Sequence, residues 1–164
     1  MVNEPVTEAP MWIWSKFMLL ALAASLAMAP ITASAVDTTP EPAPSPEIAA
    51  GKRAIEARDW EAAIKSLTAA AQREPRNADI QNLLGYAYRN TGQLEAAFRH
   101  YRQALQIDPR HLGAHEYIGE AYLMANNLAK AEEHLAALKR FCLGVCVERD
   151  DLSNKIATYR AQAK

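Results

Sequence analysis

Apolar residues recur along this chain at two nested intervals. Within segments they return every three or four positions, the spacing of one helix face. Leu152, Ile156 and Tyr159 form one such stripe, at i, i+4 and i+7. Between segments the pattern itself returns every 34 residues: Gly51, Gly85 and Gly119; Ala63, Ala97 and Ala131; Tyr88 and Tyr122; Pro75 and Pro109. A fixed period of that length marks one helix–turn–helix unit stacked on itself. The pattern predicts helices near 47–58, 60–74, 78–91, 94–107, 112–125 and 128–141. A seventh is expected over about 148–162, capped by Asp150 or Asp151. Its opposite face, with Asn154, Lys155 and Arg160, is expected to meet water, as a terminal capping helix requires.

The pattern changes ahead of residue 47. Phe17 to Met28 is an unbroken apolar run, preceded by Lys16 and followed by Ala33-Ser34-Ala35, a small-x-small triplet. Twelve helical residues span only about 18 Å, against the ~30 Å hydrocarbon core of a bilayer. Residues 1–35 therefore read as an export signal, with Met11 an alternative start because Glu4 and Glu8 are out of place in a basic n-region. The expected location is the periplasm or another exported compartment. The alternative is an uncleaved segment that anchors the chain to the inner membrane. Residues 36–46 carry four prolines and read as an extended spacer.

Charge removes one class of partner. The chain has 18 basic and 19 acidic side chains, and taking away residues 1–35 leaves 17 of each sign. No basic stripe is present to neutralise phosphates, so nucleic acid is not an expected partner. Only 7% of residues are aromatic, and alanine supplies much of the apolar content, which suits closely packed helices.

The middle unit, 78–111, carries Leu84-Gly85-x-x-Tyr88, then Gly92, Ala97, Tyr101, Ala104 and Pro109. It resembles a tetratricopeptide repeat. The first unit, 44–77, keeps Gly51, Ala63, Leu67, Ala70 and Pro75 but has Ala54 at the aromatic position. The third, 112–145, has Ile118-Gly119-x-x-Tyr122, Ala131 and Leu135, then departs at Leu138 and lacks the final proline. The resemblance implies an all-α superhelix: three repeats over 47–145 and a capping helix over 146–164. Small Gly85 and Ala97 would let paired helices approach, Tyr88 and Tyr101 would fill the space between units, and Gly92 would supply the turn.

In this family the first helix of each repeat lines a concave groove that binds protein or peptide. Carried over by position, the groove is Ile48, Lys52, Ile55 and Glu56, then Asn82, Tyr86, Arg89 and Asn90, then Glu116, Glu120, Leu123 and Met124. Asn82 and Asn90 suit a peptide backbone and Tyr86 suits stacking. Glu116 and Glu120, four apart on one face, are expected to form an acidic end for a basic segment. Lys52, Asn82 and Arg89 hint at the carboxylate clamp of chaperone-binding members, which the acidic pair in the third repeat opposes.

Cys142 and Cys146 are the only cysteines. In an exported protein they read as a disulfide closing the turn before the cap, with Gly144 allowing the bend. The same spacing also suits a cuprous ion held by two thiolates, or a redox-active dithiol. The ending is similar to that of a group of exported proteobacterial repeat proteins. His111 and His115 are four apart but lack a third ligand, so no metal site is expected there. His100 and His134 are read as surface or packing residues. No catalytic motif and no cofactor-binding loop appears, so the expectation is a non-enzymatic scaffold or assembly adaptor of the cell envelope. The alternative is a copper- or thiol-handling protein using Cys142 and Cys146. The identity of the partner and the oligomeric state are not legible.

Overall fold

The computed structural model describes residues 45–162. The signal segment read over 1–35, with its alternative start at Met11, lies outside them, as does the spacer up to residue 44. Seven helices form among the described residues: α1 Pro46–Glu56, α2 Trp60–Arg73, α3 Ala78–Asn90, α4 Leu94–Ile107, α5 Leu112–Met124, α6 Leu128–Phe141 and α7 Val147–Gln162.

Five of the helix starts, those of α1, α2, α3, α5 and α6, have a side-chain cap. Pro46 is tolerated in the first turn of α1 because its missing N–H has no helical partner there. The side chains of Ser45, Asp59, Asn77 and Asn127 each accept a hydrogen bond from a backbone N–H three residues on. His111 does the same for α5, through Nδ1 and the N–H of Ala114 at 3.1 Å. The spacer therefore yields its last two residues, Ser45 and Pro46, to the helical array.

The turns inside the repeats share one backbone feature. Arg58, Gly92 and Asn126, spaced by 34, all have positive φ, at 56°, 77° and 56°. The left-handed conformation ends the first helix of each unit sharply and starts the second. Only the middle repeat uses glycine for it, which is why only that turn shows plainly in the sequence.

Three apolar clusters follow one another along the array. The first joins Ile48, Ala63, Leu67, Ala70, Ile80, Leu84 and Ala87. The next holds Ala97, Phe98, Tyr101, Ile118 and Ala121. The last holds Leu123, Ala131, Leu135, Leu138, Leu152 and Ile156. The expected stripe of α7 is thus in the core. The third glycine contact, however, differs from the other two. A Cβ on Gly51 would meet Leu67 at 2.6 Å, and one on Gly85 would meet the Tyr101 ring at 2.5 Å, each on the second helix of its own repeat. A Cβ on Gly119 would instead meet Leu152 of α7 at 2.6 Å. The cap packs directly onto the first helix of the last repeat.

One correction concerns α7. It starts at Val147, so Asp150 lies in its first turn and donates its N–H to the Cys146 carbonyl rather than standing as the cap. Its polar face, with Asn154, Lys155 and Arg160, is exposed, and Lys155 and Arg160 reach from it to Glu120 and Glu132.

Two outcomes are expected from urea unfolding. Gly85→Ala should lose about 1–3 kcal/mol, because the fully buried Tyr101 ring has no room to retreat. Unchanged stability would refute the glycine–tyrosine contact. Arg58→Gly should gain ~0.5–1 kcal/mol, since the roughly 1–2 kcal/mol cost of left-handed arginine exceeds the extra chain entropy of glycine.

Candidate functional site

The first helices touch one another: α1 packs on α3, α3 on α5 and α5 on α7, whereas α2, α4 and α6 make no mutual contact. The odd-numbered helices are therefore the inner, concave layer and the even-numbered ones fan outward.

On that inner layer the carried-over residues separate into three groups. Lys52, Glu56, Asn90 and Met124 are exposed. Ile48 and Leu123 belong to the apolar core instead, and Ile55 packs against it. Asn82, Arg89, Glu116 and Glu120 are buried, while Tyr86 is half-buried.

Tyr86 stands in an aromatic array that spans the repeats. Its ring centroid lies 6.0 Å from Trp60, edge to face, and 5.0 Å from Tyr117. The Arg89 guanidinium lies over both tyrosines, 5.2 Å from Tyr86 and 5.4 Å from Tyr117, within cation–π range. Trp60 and Tyr117 escaped the sequence reading. One signal was available: Tyr86 and Arg89 sit three apart on α3, as Tyr117 and Glu120 do on α5, so two matching pairs face each other across the repeat boundary.

Glu120 is where the expected acidic end changes character. Its carboxylate accepts from Arg89 on one oxygen and from Lys155 on the other. One buried anion is held between two cations on neighbouring helices. Glu120 therefore closes the groove from within and is not free for a basic partner. Arg89, for its part, is committed to Glu120 and is not a free cation for a carboxylate clamp. Lys155 was out of reach of the sequence because α7 has no counterpart in the repeat pattern.

Glu116, one turn earlier, is also buried. Its carboxyl is pushed up to about 7, mainly by burial and then by Asp151, against the opposing charge of Lys155. The helix that caps the array brings Glu148 and Asp151 toward Glu116, so this end holds acids of its own. Other buried polar atoms remain without partners among the described residues: Asn82 Oδ1, Arg89 Nε and the Tyr101 hydroxyl. Burial also raises the Tyr101 phenol well above its ordinary range.

Two of the histidines pair with each other. His115 Nδ1 lies 2.9 Å from His134 Nδ1, and His115 Nε2 lies 3.1 Å from the Pro109 carbonyl. With His115 donating to that carbonyl, its Nδ1 accepts from His134. Burial, with the neighbouring ring adding to it, lowers His134 to about 4, and burial also lowers His115, so the pair stays neutral. His111 caps α5 and contacts Asp79 at 2.9 Å. His100 stacks on Tyr88 at 5.2 Å.

Cys142 and Cys146 form a disulfide, with Cα atoms 5.9 Å apart. The Glu148 carboxylate and the two sulfurs lie within 4.8 Å of one another. Bridged sulfurs are not thiolates, so the copper and dithiol readings both require the reduced pair.

Two models of the tetratricopeptide repeat match the chain, over residues 48–111 and 91–141. No curated protein matches it. Among solved structures, it is similar to the TPR2B domain of yeast Sti1 in a pHsp70 complex, at 20% identity and a TM-score of 0.65, covering 72% of this chain and 95% of that one. The Sgt2 TPR domain from Aspergillus fumigatus gives 20% identity and a TM-score of 0.66, covering 77% and 85%. PcrH, in complex with the chaperone binding region of PopD, gives 17% and 0.64, covering 72% and 91%.

Glu116→Gln tests the buried acid through pH. A raised carboxyl takes up its proton as the pH falls from above 7 to 4.5, so the native chain gains stability over that window. The glutamine variant should be the more stable above pH 7, by about 1–2 kcal/mol after allowance for residual solvent screening. The difference should vanish toward pH 4.5. Thermal melts of both proteins across pH check it, and a pH-independent difference would exclude the raised carboxyl.

Proposed function

The chain belongs to the tetratricopeptide repeat family, and from that premise we propose that it is a scaffold that binds a protein or peptide along its inner helical layer. The carrying observation is the array Trp60–Tyr86–Tyr117 beside Asn82. Half-exposed aromatic rings offer apolar area at low entropic cost to an apolar or aromatic side chain of a partner. Two structurally similar proteins support a protein or peptide partner by analogy: Sti1 was solved with pHsp70, and PcrH with a segment of PopD.

In this reading the open stretch runs from Lys52 and Glu56 past Tyr86 and Asn82, with Asn90 and Met124 at its rim. It stops where Glu120 is closed by Lys155. The partner chemistry is apolar or aromatic, not a strongly basic tail. We further propose an envelope setting, supported by the apolar run 17–28, its small-x-small ending and the Cys142–Cys146 bridge.

Affinity capture from an envelope extract tests the scaffold. Tyr86→Ala and Tyr117→Ala baits should each lose the partner about tenfold, the effect of a ~1.4 kcal/mol contact. Arg102→Ala, exposed on the outer helix α4, should keep it. Equal recovery by all three folded baits would refute the inner face as the site.

A further inference from the structure

Every turn of this array except one is polar at its tip. The turns inside the repeats carry Arg58-Asp59, Gly92-Gln93 and Asn126-Asn127, and those between repeats carry Arg76-Asn77 and Arg110-His111. The turn between α6 and α7 is Cys142-Leu143-Gly144-Val145-Cys146, followed by Val147. Leu143 is 95% exposed, Val145 101% and Val147 65%. The disulfide ties both ends of this turn together, and Gly144, at φ 127°, gives it its bend. The two side chains within the bridged loop are thus held outward instead of folding onto α6.

Beside this apolar tip stand cations with no acidic partner. The Phe141 ring, adjacent to Cys142, carries the Arg110 guanidinium at 5.5 Å and the Arg140 guanidinium at 5.8 Å. Lys139 is exposed one residue further back. Among the described residues none of these three is ion-paired. Arg149 donates from Nη1 to the Gly144 carbonyl at 2.8 Å and is paired with Asp150. Four acids stand at this end against four cations: Asp150 is paired with Arg149, Glu148 sits against Cys146, Asp108 accepts the backbone N–H of Arg110, and Asp151 is exposed.

An apolar projection with unpaired guanidinium groups at its base matches the layering of an anionic bilayer surface. The hydrocarbon boundary takes the leucine and valines, and the phosphates above it take the arginines. Arginine suits that second role because its planar fork binds phosphate oxygens in pairs. We propose that the Cys142–Cys146 loop is a membrane-docking tip that enters the interface of a bilayer carrying anionic phospholipid. The contact is separate from the apolar run 17–28 and from the inner face assigned to the partner, so it stands whether or not those readings do.

The test uses the full chain and phosphatidylcholine vesicles with and without phosphatidylglycerol. Leu143→Asp/Val145→Asp should bind the mixed vesicles about tenfold more weakly than the native chain in sedimentation, and Arg110→Gln/Arg140→Gln should lose its preference for them. The difference between the emission of Val145→Trp and that of the native chain, which already holds Trp12, Trp14 and Trp60, should shift to the blue with the mixed vesicles only. The altered side chains are exposed, and circular dichroism should show native helix content in each variant. Because the run 17–28 is present in every chain, differences among variants belong to the tip. Equal sedimentation of native and double-aspartate chains, or an unshifted difference spectrum, would overturn the proposal. So would self-association in lipid-free solution that the double-aspartate variant abolishes while vesicle binding persists, which would assign the tip to a second copy of the chain.

Discussion

The array rests on one steric constraint, the absence of a side chain at Gly51, Gly85 and Gly119. A large residue fills each vacancy: Leu67, Tyr101 and Leu152. In the first two repeats that residue comes from the paired helix, and the contact sets the spacing within the unit. At Gly119 it comes from α7, and the contact sets where the array ends. The same small-to-large rule thus produces both the repetition and its termination.

From that third contact the electrostatics of the inner layer follow. With Leu152 seated on Gly119, Lys155, three residues on, points from the same side of α7 toward α5 and meets Glu120. Glu120 in turn fixes Arg89, and Arg89 lies across Tyr86 and Tyr117. Helix packing, a buried ion triad and an aromatic surface are consecutive consequences of one another. Glu116 is the exception in this chain of pairings, since burial raises it without the double pairing that Glu120 enjoys.

The fold was legible because its cause is periodic. Positions 34 apart must satisfy the same contacts, so the helices and the core stripe could be read from spacing alone. The parts that were not legible are those where the period fails to carry the information. Arg58 and Asn126 hold the left-handed turn that glycine holds in the middle repeat, so composition hid a conserved backbone geometry. Glu116 and Glu120 looked like an open acidic face because their burial depends on the angle of α7, a helix with no repeat partner to predict it. Trp60 and Tyr117 join Tyr86 from different positions in their repeats, so no single repeat position points to the array they form.

That dependence on α7 limits what the inner layer can admit. A ligand running the full length of the concave face would have to lift α7 from α5. Lifting it exposes Leu152 and Ile156, each worth roughly 1.5–3 kcal/mol of burial. It also strips Lys155, which is half exposed, from Glu120, a carboxylate that keeps Arg89, so this step adds only about 0.5–1 kcal/mol. These costs exceed what a short peptide segment gains from one helix surface, and the Cys142–Cys146 bridge constrains the turn that α7 would swing on. The surface proposed for the ligand is therefore bounded: it opens at α1, is richest around Tyr86 and Tyr117, and ends at Glu120. A partner matched to this chain needs its anchoring side chain to fall within the first two repeats and the adjoining face of the third.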